Sequence, residues 1–127
     1  MFCLSLALSQ GCSCRKPTNG GGEEKPDMGG FPDAVGKILV GKCATSGCHN
    51  AASAVNSASL RLDTWAALFE GGANGAEVIP YSPDFSPLLY FVNTDPSRGV
   101  VATPNMPYDA TGTNPNPLSE AEYNTLK

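Results

Sequence analysis

The sequence predicts one small, mostly α-helical domain with long loops rich in glycine and proline. Apolar residues recur at helical spacing in four short segments, and no alternating apolar pattern is long enough to predict a sheet. Gly- and Pro-rich stretches connect these segments. Because loops of this length need something to fold around, such a core is typically supplemented by a disulfide, a metal or a cofactor.

The first predicted helix lies in FPDAVGKILVGKC, which begins at Phe31. Pro32 and Asp33 suit a helix start. Apolar residues then follow at helical spacing, and they are Val35, Ile38, Leu39 and Cys43. The C-terminal end of this helix therefore leads into a cysteine-containing segment.

Two further helices have clear start signals. In DTWAALFEGG, either Asp63 or Thr64 is the expected N-cap, and Gly71 is the expected stop. In SPLLYFVN, Ser86 is the expected N-cap, and Pro87 occupies the first helical position, where its missing N–H has no cost.

The fourth predicted helix, in LSEAEYNTLK, has Ser119 and Glu122 at the spacing of a capping box. Tyr123 and Leu126 begin an apolar face that no second turn completes. We expect this last helix to be truncated, so that the chain is a piece of a longer protein.

The N-terminal region predicts export. Residues 1–14 resemble the end of a signal peptide followed by a lipobox, in which Cys12 is the candidate for lipidation and Cys14 a weaker one. A ragged N-terminus with incidental cysteines is the alternative. Residues 15–30 predict a flexible tether, and residues 31–127 the folded domain. We expect a periplasmic or cell-envelope location, with membrane contact only through an N-terminal lipid anchor.

The charge of the predicted domain argues against binding nucleic acid. From Phe31 onward there are five basic and nine acidic residues, so this part carries the whole net charge of −4. Binding to phosphates needs a basic stripe, and none is present. An acidic surface can still steer a basic protein partner.

The segment CATSGCHN contains Cys43, Cys48 and His49, the last being the only histidine of the chain. Two cysteines followed directly by histidine are typical of covalent heme attachment, although two intervening residues are more usual than the four found here. Each thiol adds to one vinyl group of the porphyrin, and the histidine then ligates the iron. Ser46 and Gly47 suit a turn in which the two extra residues loop outward.

Three other interpretations of this segment stay open. A disulfide between Cys43 and Cys48 suits an exported chain but leaves His49 without a role. A structural zinc ion needs a fourth ligand, and the remaining cysteines lie in the signal or tether. A redox dithiol usually begins a helix, whereas this pair follows one.

Met106 is the candidate for a second axial ligand of the iron. With His49 used, a soft methionine thioether is the natural distal donor, and Met106 is the methionine of the predicted domain. It lies in ATPNMPY between Pro104 and Pro107, whose fixed φ angles stiffen the loop. The alternative is an ordinary loop methionine that packs on apolar neighbours.

Together, ILVGKCATSGCHN, LRLDTWAALFEGG, VIPYSPDFSPLLYFV, PNMP and LSEAEYNTLK resemble the planctomycete-type cytochrome c-like domains, which also occur in exported proteins of the Bacteroidetes. The resemblance covers roughly residues 33–127. It implies a small helical cytochrome c fold around one covalently attached heme c, with His49 and Met106 as axial ligands. It also implies electron transfer outside the cytoplasm.

The function expected from these features is that of an exported monoheme electron carrier, not an enzyme. A heme peroxidase keeps the distal position open and places acid–base groups above it, and the chain has no second histidine for this role. Its partners would be redox proteins or fused redox domains. The alternative is a heme-free lipoprotein binding domain with a Cys43–Cys48 disulfide.

Overall fold

The structure is a computed structural model that describes residues 26–127. This range forms four short α-helices, which are α1 (Asp33–Ile38), α2 (Trp65–Glu70), α3 (Pro87–Val92) and α4 (Glu120–Leu126). Across the same range there is no β-strand, and one isolated bridge joins two glycines in the loop after α2. The predicted mostly α-helical class with long loops is therefore confirmed.

The predicted signal segment at residues 1–14, Cys12 and most of the predicted tether lie outside the described residues. The last residues of that tether pack on the domain: the Trp65 N–H donates to the Gly29 carbonyl at 2.8 Å, and the Phe31 N–H donates to the Met28 carbonyl at 3.0 Å. In the described part of the chain, no helix has both the length and the apolar character needed to cross a membrane.

Helix α1 continues directly into a π-helical turn, Leu39–Cys43. The sequence predicted a helix through this region, and the structure shows that its last turn is widened, with the Ala44 N–H bonded to the Leu39 carbonyl at 2.8 Å. Turns of this kind are frequent at functional sites because they re-aim the side chains that follow. Here the widened turn ends on Cys43.

The helix caps follow the sequence signals with one exception. Thr64 caps α2 by accepting the Ala67 N–H, and Ser119 and Glu122 form the predicted capping box of α4. Ser86 holds the N-cap position of α3, but its hydroxyl accepts the Ile79 N–H at 2.9 Å instead of bonding the helix. Ser86 therefore fastens the preceding loop to α3.

Two groups of buried side chains form the core. The first core cluster consists of Phe31, Leu39, Cys43, Leu60, Leu62, Leu68 and Leu88. The second core cluster consists of Ile38, Leu89, Val92, Leu118 and Tyr123. The neighbouring residues Ile38 and Leu39 join different clusters, so α1 and its π turn link the two.

Helix α4 packs against both α1 and α3. An ion pair strengthens this contact, since the Lys42 ammonium lies 2.7 Å from the Glu122 carboxylate. The residue directly before Cys43 is thereby tied to α4.

Candidate functional site

Cys43 is the buried cysteine of the candidate site. It lies in the first core cluster with 6% of its surface exposed, whereas Cys48 is half-buried, and both are free cysteines. Burial, and secondly the neighbouring Cys48 thiol, raise the pKa of Cys43 to about 11. Cys43 is therefore a neutral thiol near pH 7.

A short turn brings the residues around the second cysteine back towards the first. The Cys48 N–H donates to the Thr45 carbonyl at 3.0 Å, and the His49 N–H donates to the Cys43 carbonyl at 3.1 Å. Gly47 has a φ of +83°, which favours glycine, and Ser46 and Gly47 are exposed. The two extra residues of the motif thus lie at the outer tip of a turn.

His49 is held by its ring and by its backbone. Its Nδ1 lies 3.1 Å from the Leu60 carbonyl oxygen, and its own carbonyl accepts the Leu62 N–H at 2.8 Å. A carbonyl oxygen only accepts hydrogen bonds, so Nδ1 carries the proton and Nε2 keeps its lone pair. Burial lowers the pKa of His49, and the bond to Leu60 partly opposes this shift. The neutral imidazole is the form that ligates a metal.

Met106 belongs to the other side of the core. Its half-buried side chain packs against the second core cluster, and its N–H donates to the Phe91 carbonyl at 2.7 Å. A cleft of about 270 Å³ separates the segment around Cys43 from the loop after Met106. The residues that line it include Gly41, Lys42 and Thr45 on one side, and Pro107 and Tyr108 on the other.

Comparison with known families identifies part of this region. Residues 46–100 match the family model described as Planctomycete cytochrome C. This stretch of the chain is therefore similar to the planctomycete-type cytochrome c domains. The match includes Cys48 and His49, begins after Cys43 and ends before Met106. No curated protein and no solved structure matches.

Proteins of the matched cytochrome c family bind heme covalently and transfer electrons. The donor set of the described residues fits such a group. Two thiols and an imidazole with a free Nε2 lie on one short segment, and the Met106 thioether lies on a separate loop whose next residue, Pro107, lines the cleft. The roles of Cys43, Cys48, His49 and Met106 stay predictions.

The positions of the described side chains do not support the interpretation of the motif as a zinc site. In residues 26–127, no three or more His, Cys, Asp or Glu side chains are grouped so that they could hold a metal ion. The thiols of Cys43 and Cys48 and the ring of His49 therefore do not converge on one tetrahedral position.

Sequence reasoning missed the contacts that support the candidate ligands. The partner of His49 is the backbone carbonyl of Leu60, which has no sequence signal. A chain of amide side chains also reaches Met106, and its members are Asn93, Asn105 and Asn114. Asn93 ends the segment SPLLYFVN and Asn105 lies next to Met106 in PNMP, but the sequence indicated no bond between them.

Proposed function

We propose that this chain is an exported monoheme c-type cytochrome domain that transfers one electron at a time, with His49 and Met106 as the axial ligands. The observation that carries the proposal is the hydrogen bond of 3.1 Å between Nδ1 of His49 and the Leu60 carbonyl. This bond fixes the tautomer and turns an unprotonated Nε2 towards ligation, as outer-shell partners of ligating histidines do.

The candidate residues would hold the heme in two ways, by covalent attachment and by ligation of the iron. The sulfurs of Cys43 and Cys48 form the thioether bonds, and the turn between them keeps the two cysteines within one short arc. Met106 supplies a soft sulfur from the opposite loop, which favours the reduced metal. Heme c, when bound, supplies the one-electron Fe(III)/Fe(II) couple.

Buried apolar side chains lie near both candidate ligands. Leu60, Leu62 and Leu68 are buried on the histidine side, and Leu89 and Val92 are buried on the methionine side. Close-packed apolar surroundings rearrange little when the charge of a metal changes, which suits electron transfer. No described feature requires a general acid, a base or a nucleophile for this role.

The location and the partners follow from the sequence. The lipobox-like segment with Cys12 supports export to the periplasm or cell envelope with a lipid anchor. The excess of acidic residues from Phe31 onward favours a redox partner, or a fused redox domain, with a basic face.

Co-expression with the cytochrome c maturation machinery tests the attachment. A denaturing gel stained for heme, with mass spectrometry of the same band, should show one heme on the wild type and none on a Cys43→Ser/Cys48→Ser double variant. A colourless wild-type chain with a Cys43–Cys48 disulfide would instead support the heme-free alternative.

A pair of methionine variants tests the distal ligand. Met106→Leu keeps the volume of the side chain but removes the sulfur, so it should lose the low-spin spectrum and bind carbon monoxide readily in the ferrous state. Met28→Leu is the matched control because Met28 packs beside Gly36 on α1, and it should leave both properties unchanged. Ready carbon monoxide binding by the wild type would rule out Met106 as a ligand.

A further inference from the structure

Three asparagines far apart in sequence form a continuous chain of hydrogen bonds that ends at Met106. The Asn105 side-chain amide donates to the Asn93 carbonyl at 2.6 Å. The Asn114 side-chain amide donates to Oδ1 of Asn105 at 2.6 Å and to the Met106 carbonyl at 3.1 Å. The chain thus runs from the end of α3, across the methionine loop, to the segment that leads to α4.

Asn93 is a firm anchor for this chain. It is 1% exposed, and its side-chain amide donates to the Val100 carbonyl at 3.0 Å, while its Oδ1 accepts the Asp95 N–H at 3.0 Å. Its own N–H closes α3 by donating to the Leu89 carbonyl at 3.0 Å. A buried amide with this many partners has one favourable orientation.

Met106 is held on both of its backbone polar groups. Its N–H donates to the Phe91 carbonyl, and its carbonyl accepts from Asn114. The backbone of Met106 is therefore hydrogen-bonded both to α3 and to the segment before α4. With these two groups fixed, only rotations of the side chain are left to place the sulfur.

The side-chain amide of Asn114 has one polar atom that is bonded and one that is not. Its Oδ1 is buried and has no hydrogen-bond partner among the described residues. An unsatisfied buried acceptor is costly because it has lost its hydrogen bonds to water. Since Asn114 bonds both Asn105 and Met106 through the same nitrogen, the amide serves the methionine loop despite this cost.

We infer that Asn105 and Asn114 are positioning residues for the Met106 ligand. Their amide chain holds the Met106 backbone in place, and would thereby limit the time that the sulfur spends detached from a bound heme iron. This inference rests on the proposed function, because it takes Met106 as the distal ligand. A thioether is a weak ligand for iron, so a prearranged loop lowers the entropy lost on ligation.

The experiment uses the heme-loaded protein and three readouts of the iron–sulfur bond. They are the long-wavelength absorption band of ferric methionine ligation, the rate of carbon monoxide binding to the ferrous form, and the reduction potential. Asn114→Ala should weaken the band, lower the potential and speed carbon monoxide binding on the order of fivefold to thirtyfold, the factor expected for one or two lost hydrogen bonds. Asn105→Ala should act in the same direction.

Two further variants separate positioning from general stability. Asn124→Ala, at an exposed asparagine on α4 that does not line the cleft, should leave all three readouts at their wild-type values. Asn114→Ser keeps a shorter donor and should lie between the wild type and Asn114→Ala. It also serves as the test if Asn114→Ala yields no folded protein.

The outcomes distinguish this inference from the proposed function. If Asn114→Ala and Asn114→Ser lower the melting temperature but leave the band, the potential and the carbon monoxide rate unchanged, the amide chain is only structural and the inference is wrong. If the wild type lacks the methionine band and Met106→Leu changes nothing, Met106 is not a ligand, and both the inference and the proposed ligation fail.

Discussion

Nδ1 of His49 and the carbonyl oxygen of Leu60 are 3.1 Å apart. This hydrogen bond joins the cysteine segment to the loop before α2. Because this partner is a backbone atom, the hydrogen bond itself needs no particular side chain at position 60. The orientation of the imidazole therefore depends on the path of the backbone at Leu60, which the burial of Leu60 and Leu62 in the first core cluster maintains.

Replacement of His49 separates ligation from attachment. We expect His49→Ala, produced with the maturation machinery, to lose the low-spin spectrum because the proximal nitrogen is gone, while any heme that is attached stays bound through the thioethers. Optical spectra and a heme-stained gel measure the two properties. Ser46→Ala, at the exposed tip of the turn, is the control and should match the wild type. An unchanged spectrum in His49→Ala would exclude this histidine as a ligand.

The two thiols should react at different rates before heme attachment. In protein made without the maturation machinery, we expect iodoacetamide at pH 8 to label Cys48 well before Cys43, because Cys43 is buried and its pKa is raised to about 11. The rate at Cys43 should rise about tenfold per pH unit below that pKa. Peptide mass spectrometry after timed quenching measures both. Equal rates at the two cysteines would contradict the burial of Cys43.

Glu77 should make the fold less stable as the pH rises. Burial raises the pKa of this carboxyl, which is 7% exposed, so the folded state holds its proton more tightly than the unfolded state. Its unfavourable contribution is absent below the unfolded pKa of about 4.3 and grows as the pH rises above it. We expect Glu77→Gln to melt at a higher temperature than wild type at pH 7 and to converge with it near pH 4. Glu70→Gln, at an exposed position, should show no such difference.

The ion pair between Lys42 and Glu122 should have the opposite pH dependence. The pKa of Glu122 is lowered, first by Lys42 and then by the Ser119 N–H, so its contribution is present above the unfolded pKa and is lost as the pH falls through the folded pKa. Glu122→Gln removes the ion pair but keeps an acceptor for the capping box, and it should cost up to about 1 kcal/mol at pH 7. Denaturant unfolding at pH 7 and pH 3 measures this loss, which should shrink at the lower pH. Glu120→Gln, at an exposed position on the same turn, should cost less.

A glycine substitution tests the packing of residues 28–30. Gly29 has a φ of +63°, and a Cβ there would collide with the Asp63 carbonyl. We expect Gly29→Ala to destabilise the fold by more than about 1 kcal/mol. Gly41→Ala is the matched control because nothing lies within 4 Å of a Cβ at that position. Equal melting temperatures for the two variants would show that the segment before α1 is not packed as described.

The sequence alone was sufficient for the features that depend on local chemistry. Helical spacing, the Thr64 N-cap, the Gly71 stop and the capping box of Ser119 and Glu122 were predictable because each depends on residues within one or two turns. The motif around Cys43 and His49 was readable for the same reason, since its spacing is written in seven consecutive positions.

Only the tertiary structure decided how these local pieces meet. The bond of His49 to the Leu60 carbonyl joins atoms from separate segments, and so does the amide chain from Asn93 to Met106. Such contacts follow from the packing of two core clusters against each other. Backbone carbonyls are the same at every position, so no residue type in the sequence reveals which of them a buried donor will reach.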